Sequence, residues 1–298
     1  MLYEARAAYL EWAQAFQPRP WRVSMLLSGL STPLSDLGVA PGEVERATLG
    51  PAADPEIRAA VAARYGVGEP EVLPVLGTSM GVFLVVASVL RPGDRVLVEE
   101  PVYEPLLAAP RAVGGEIHRF PRRREDGWRL DPRAVLDAWV EGVKLVVVSD
   151  LHNPTGRSPG DEALAELARE AEARGAWVLV DEVYRDFRSG PVGTARALGG
   201  PILAVSSLTK VYGLGPLRAG WVLAPPERIA RMASILNVLY AQAPLPGTPY
   251  FRAGLRQAER LRERGRARAA AGWEVVEGWA AGREYPRVHR PDGGIHAW

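Results

Sequence analysis

Cysteine is absent from the 298 residues, and lysine is nearly so. The first absence excludes disulfides, iron–sulfur clusters and thiol catalysis, and it fits a cytoplasmic protein. The second leaves Lys144 and Lys210 as the two lysines among 36 basic side chains. No apolar run approaches the roughly 18 residues of a membrane span; the most hydrophobic helix candidate, Val82 to Leu90, is too short. Met1 to Phe16 carries Glu4, Arg6 and Glu11 and lacks the apolar stretch of an export signal. Net charge is only +1, which gives no electrostatic ground for a nucleic-acid or membrane partner. The arginine runs, Arg122-Arg123-Arg124 and Arg260 to Arg268, read as solvated faces balanced by acids. His118, His152, His289 and His296 show no metal-ligand spacing, so no metal site is expected.

What is present is the composition of a globular chain, 47% hydrophobic and 24% charged, and long enough to bury a core. Its middle alternates strand and helix signals, the pattern of a mostly parallel α/β sheet. Pro55 opens a helix that Gly66 stops, and Val72 to Leu76 is a short strand. Further strands are expected at Val96 to Glu99, Ile117 to Phe120, Lys144 to Ser149, Trp177 to Val180 and Ile202 to Val205. Leu130-Asp131-Pro132 starts a helix to Val140, and Asp161 to Arg174 is amphipathic, with Leu164, Leu167, Ala168 and Ala171 at helical spacing. After Val222 the pattern turns helical and arginine-rich, with Pro225-Pro226 as the boundary. Ile229 to Tyr240 and Tyr250 to Gly282 read as helices, and Pro291 to Trp298 as a turn leading into a strand.

Polar groups cluster just past the strand-like runs, where open α/β sheets place their ligands. Asn153-Pro154-Thr155-Gly156 follows Leu145 to Val148. Asp181-Glu182-Val183-Tyr184 follows Trp177 to Val180. Ser206-Ser207-Leu208-Thr209-Lys210 follows Ile202 to Val205, with Arg218 eight residues beyond Lys210. This set meets the needs of a pyridoxal phosphate (PLP) site: an amine to form an imine, a carboxylate at the pyridine nitrogen, and a cradle for phosphate. Lys210 is the candidate amine, Asp181 the carboxylate. Gly77-Thr78-Ser79, ahead of an apolar helix, offers N–H groups and hydroxyls to a phosphate, to which Ser207 and Arg218 add a hydroxyl and a guanidinium. Two rival readings fail on their own motifs. Val178 to Glu182 looks like a Walker B string, but no G-x-x-x-x-G-K-[ST] accompanies it. Gly213, Gly215 and Gly220 do not make G-x-G-x-x-G.

From about Gly29 to Val222 the order of these motifs resembles the class I/II aminotransferases, a family of fold-type I PLP-dependent enzymes. The resemblance implies a three-layer α/β large domain over 34–224 and a smaller domain built from 1–33 and 225–298. It implies that Asn153 and Tyr184 bond the cofactor's phenolic oxygen, that Tyr103 stacks on the pyridine ring, and that Gly29 of Ser28-Gly29-Leu30-Ser31-Thr32-Pro33 lies near the substrate. Lys210, Asp181 and Tyr184 become the catalytic set. A homodimer is implied, acting on an amino acid and a 2-oxo acid. Two departures stand out. Thr48-Leu49-Gly50 occupies the place of the tyrosine with which relatives reach the neighbouring subunit's phosphate. The family's small-domain elements beyond the Gly-Gly-x-x-x-Trp segment, with their arginine for the substrate α-carboxylate, have no counterpart before Trp298. Three functions follow: an aminotransferase, another PLP-dependent α-carbon enzyme such as a decarboxylase or β-lyase, or a non-catalytic PLP-binding paralogue.

Overall fold

The structure is a computed structural model that describes residues 6–16, 28–240, 243–285 and 287–298. Residues 1–5 of the segment read as no export signal, and most of the stretch before Leu30, lie outside the described residues. The first helices are α1 (Ala8–Phe16), α2 (Pro41–Glu45) and α3 (Pro55–Tyr65). Asp54 caps α3 by accepting from Ile57 N at 3.1 Å, and Gly66 ends it in a left-handed conformation. Strand β1 (Val72–Leu76) then leads into α4 (Thr78–Val89), a helix that is apolar almost all round and correspondingly buried. Next come β2 (Arg95–Glu100), α5 (Pro105–Ala112), β3 (Glu116–Pro121) and α6 (Pro132–Asp137). They are followed by β4 (Val143–Ser149), α7 (Asp161–Ala173), β5 (Trp177–Asp181), β6 (Ile202–Ser207) and β7 (Ala219–Leu223).

The seven strands form one sheet in the order β1-β7-β6-β5-β4-β2-β3. All neighbours are parallel except β7, which runs antiparallel to both β1 and β6. Buried residues of α4 and α5 pack with β1, β2, β4, β5 and β6 on one face. Leu164, Leu167, Ala168 and Ala171 of α7 join Val135 of α6 on the other. The result is three layers, and the central strands are uniformly apolar because both faces are covered. Helix α8 (Pro226–Leu239) adds Met232 and Leu236 to the α4 side. Helices α9 (Gly247–Arg256) and α10 (Ala258–Ala280) follow.

Several expectations need correction. The helix expected over Tyr250 to Gly282 is two, because Gln257 leaves the helical backbone (φ −102°, ψ 9°) and its amide donates to Leu37 O at 3.0 Å. The helix from Pro132 stops at Asp137 rather than Val140. Strand β7 was not among the expected strands. Pro291 to Trp298 forms no strand: the segment is held by the Asp292 carboxylate, which binds Arg157 Nη1 at 2.6 Å and Ser158 N at 2.9 Å, instead of by a backbone ladder. The arginine runs are not wholly solvated either. Arg122 is buried with Nη2 at 2.7 Å from the equally buried Glu99 Oε2. Arg262 is buried, donating from Nε to Asp186 O at 3.0 Å and from Nη2 to Gly190 O at 2.7 Å. Arg122 pairs with an acid remote in sequence, and Arg262 combines those remote carbonyls with the nearby Glu259, 2.9 Å from its Nη1, contacts that composition does not reveal.

Candidate active site

The parallel strands end together. Ser149 at the end of β4 is in register with Asp181 at the end of β5, and Asp181 with Val205 of β6. Gly220 near the start of β7 pairs with Ser207, and Ala219 with Leu76. Antiparallel β7 therefore begins where its neighbours finish, and this delivers Arg218 to the same edge as Gly77, Asp181 and Ser207. The loop between β6 and β7 carries Lys210 over that edge.

A cavity of about 570 Å³ opens there, within the range of roughly 300–1,000 Å³ usual for small-molecule sites. Thr78, Ser79, Tyr103, Asp181, Lys210 and Arg218 line it. Burial lowers the Lys210 amine to about 8, with Arg218 adding to the effect and Asp181 opposing it. Burial raises Asp181 to about 6, against the Val183 N–H, which donates to it at 3.1 Å, and against Lys210. The two groups thus sit near neutrality, one able to take a proton and the other to hold one. Lys210 Nζ donates to Ser28 Oγ at 3.2 Å and lies 5.4 Å from the centroid of the Tyr184 ring. Tyr184 Oη donates to the same Ser28, 2.8 Å from Oγ and 2.9 Å from the carbonyl; burial pushes its pKa up. Gly29 follows Ser28, within van der Waals reach of the Lys210 side chain.

At the closed end, the N-terminus of α4 meets Ser207 and Arg218. Thr78 Oγ1 and Ser207 Oγ are 2.9 Å apart, and Ser207 Oγ also accepts from Thr209 N at 3.3 Å. Gly77 (φ 81°, ψ 168°) lies beneath the Arg218 guanidinium, so closely that a Cβ would overlap it. The loop conformation and this approach both demand glycine. Among the described residues no carboxylate pairs with Arg218; its one hydrogen bond goes to Gly215 O at 3.4 Å. Thr209 Oγ1 is buried without a partner beside the cavity. An unpaired guanidinium, a helix N-terminus and spare hydroxyls form a dianion cradle.

Tyr103 separates this cavity from two others. A small one of about 20 Å³ holds Ser28, Ser149, Asn153, Asp181, Tyr184 and Lys210. A third, open and about 630 Å³, lies beyond Asn153. All ten sequence-derived cofactor residues meet along this edge: eight border the 570 Å³ or 20 Å³ cavity, Ser207 accepts from Thr78 Oγ1 at its wall, and Gly77 floors the cradle. Several neighbours were missed. Ser149 Oγ contacts Asn153 N at 3.2 Å and donates to Glu99 Oε1 at 2.5 Å, so Arg122, Glu99 and Ser149 form a buried chain behind Asn153. Glu99 is pushed up by burial, only partly offset by Arg122 and Ser149. The His296 ring stacks edge-on against Tyr184, centroids 4.5 Å apart. Only a glutamate inside an apolar strand run, Val96 to Glu99, hinted at the first of these.

The sequence profile of aminotransferase class I and II matches residues 42–275. The chain belongs to the class I and II aminotransferase family. An aspartate aminotransferase of Streptomyces avermitilis is 30% identical over 188 residues, 59% of this chain and 46% of that protein. A histidinol-phosphate aminotransferase of Stenotrophomonas maltophilia is 35% identical over 196 residues, 64% of this chain and 52% of its own. The chain spans about half the length of the curated relatives it matches. A PLP-dependent aminotransferase from Streptococcus suis superposes with a TM-score of 0.84 at 24% identity, over 98% of this chain and 80% of that one, which establishes the fold-type I arrangement. The cofactor is PLP. The residues fit it: a half-buried amine faces a buried carboxylate, and Arg218, Thr209, Ser207 and the α4 N-terminus provide unclaimed donors for its phosphate.

Proposed function

We propose that the chain transfers an amino group between an amino acid and a 2-oxo acid, with Lys210, Asp181 and Tyr184 as its catalytic groups. The observation that carries the reading is the half-buried Lys210 amine, lowered to about 8 and lying in one cavity with Asp181. PLP, when bound, supplies an electron sink for the pair left at the substrate's α-carbon. Lys210 would anchor the cofactor, and as a free amine it is neutral often enough near pH 8 to take the substrate's α-proton and return it. Asp181 holds a proton at the pyridine nitrogen. Tyr184 stays protonated and, through Ser28, fixes the position of the Lys210 amine. Asn153 and Tyr184 hold the cofactor's phenolic oxygen, Tyr103 covers its ring, and Gly77, Thr78, Ser79, Ser207 and Arg218 hold its phosphate. Gly29 leaves room for the substrate.

The same proposal includes a homodimer in the cytoplasm, with a large domain over 34–224 and a smaller one from 1–33 and 225–298. The end of the sheet at Leu223 supports that division. No described helix is long and apolar enough to cross a membrane. The test is a half-reaction screen: PLP-loaded protein is mixed with single amino acids and the absorbance is followed for conversion to pyridoxamine phosphate. Release of CO2 or of a side-chain fragment without that conversion would move the function to a decarboxylase or β-lyase. No conversion and no release with any amino acid would leave a binding protein.

A further inference from the structure

The open cavity beyond Asn153 shares Ser28, Tyr103 and Asn153 with the small chamber around Lys210, so the two lie on either side of the same side chains. Its far wall is one face of α10, where Arg268 precedes Gly272 by one turn, together with the edge of the docked tail at Ile295 and His296. Arg268 is exposed, and its one hydrogen bond runs from Nη1 to Ser31 O at 3.3 Å. Among the described residues no carboxylate pairs with it. The cavity wall also carries one acid, Glu104, and otherwise neutral polar groups. Glu104 accepts from Tyr9 N at 2.6 Å, and Trp273 Nε1 donates to Gly294 O at 3.3 Å. His296 is held down to about 4 by burial and by Lys210 and His152, so it carries no charge at neutral pH.

Two guanidinium groups without acid partners among the described residues therefore stand on either side of the Lys210 chamber, one in each of the cavities that flank it. Arg218 stands at the closed end beside the phosphate cradle, and Arg268 at the open end past Lys210. An arginine with free N–H groups on a pocket wall of mixed polarity binds a carboxylate through two parallel, charge-assisted hydrogen bonds. Such a site also discriminates by charge: a substrate that lacks the carboxylate leaves the guanidinium without a partner. We propose that Arg268 binds a carboxylate of the amino-acid substrate. The inference rests on the aminotransferase reading for the identity of that substrate, and on the cleft geometry for the residue. It gives the chain, within its own α10, a cationic contact for acids. The free cation and the missing acid partner also argue that simple amines are poor ligands.

The test uses the PLP-loaded protein and the variants Arg268→Gln and Arg268→Lys. Arg268 is exposed, so neither variant threatens the fold. L-Alanine, L-glutamate, pyruvate and 2-oxoglutarate are each titrated while the absorbance of the bound cofactor is followed, which reads binding whether or not transfer occurs. Arg268→Gln is expected to weaken these ligands roughly 10- to 100-fold, the span of a lost charge-assisted hydrogen bond. Arg268→Lys should recover part of the loss, and PLP affinity should stay at the parent value in both. Equal losses for alanine and glutamate identify the α-carboxylate as the group bound. A loss confined to glutamate and 2-oxoglutarate identifies the side-chain carboxylate. Parent-like binding of every ligand by Arg268→Gln overturns the proposal, and so does a parent spectrum that no amino acid or 2-oxo acid perturbs. Binding that depends on Arg268 without conversion to pyridoxamine phosphate would sink the aminotransferase reading and leave the assignment of Arg268 standing.

Discussion

Lys210 and Asp181 share a cavity that suppresses the charge of both, and their chemistry follows from that. Burial raises Asp181 to about 6, and as an anion opposite a pyridine nitrogen it would favour the protonated ring by charge attraction. Asp181→Asn preserves shape but removes the anion, so single-turnover transfer should slow by on the order of 10²–10³-fold, with folding nearly unchanged. Parent-like turnover would show that Asp181 is not the pyridinium partner. Borohydride reduction and peptide mapping should place the pyridoxyl group on Lys210; labelling of Lys144 would refute the assignment. The cofactor-free protein offers a separate check. Lys210 titrates near 8 when folded against an ordinary 10.5. Between those values the unfolded chain holds a proton that the folded chain has lost, so stability rises with pH across that window. Below about 8 both states are protonated and the burial penalty is constant. Urea midpoints at pH 8 and pH 10 should therefore diverge less for Lys210→Met than for the parent.

At the scale of elements, two contacts decide how the loop bearing Lys210 is held. Helix α10 passes Val211 at Gly265, where a Cβ would overlap the Val211 carbonyl oxygen and crowd Leu30. Alanine improves helix propensity by up to about 1 kcal/mol, but overpacking against fixed backbone costs about 1–3 kcal/mol. Gly265→Ala should accordingly lower the urea midpoint, and a neutral or stabilised variant would mean that α10 shifts freely. The second contact is the turn before α4. Gly77→Ala places a methyl group where the Arg218 guanidinium lies and strains a backbone with φ 81°. Weaker PLP binding at equilibrium dialysis is expected, with the larger part of the effect in affinity and the smaller in stability.

For the whole molecule, the unresolved balance is on the surface. Val238 is 86% exposed at the end of α8, with Leu239 beside it, and Leu49 is exposed where Thr248 Oγ1 donates to its carbonyl at 3.0 Å. Bare aliphatic side chains of this kind fit a face covered by a second copy. Val238→Glu should shift the sedimentation coefficient from dimer toward monomer; a parent that sediments as a monomer at micromolar concentration would end the dimer proposal. Cofactor binding should be read in the fold as well. At 100 times its dissociation constant, PLP is expected to add about 2.7 kcal/mol to stability by mass action.

The sequence by itself determined which chemical groups reach the site and in what order. Asn153, Asp181 and Ser207 each end or follow an apolar run, and parallel strands in register bring such ends to one edge; the rule is local and legible. Lys210 stood out because the chain has almost no other lysine. Tertiary structure decided the rest, since each remaining feature depends on a partner far along the chain. The antiparallel pairing of β7 with β1 turns Arg218 back to the cradle, which five apolar residues alone do not announce. Arg122 is buried because Glu99 and Ser149 enclose its charge, while Arg123 and Arg124 beside it remain exposed. Asp292 docks the final residues onto Arg157 and Ser158, which replaces the expected strand and sets His296 against Tyr184. Arg268 looks like any arginine of its run; only the packing of α10 places it on the wall of the open cavity.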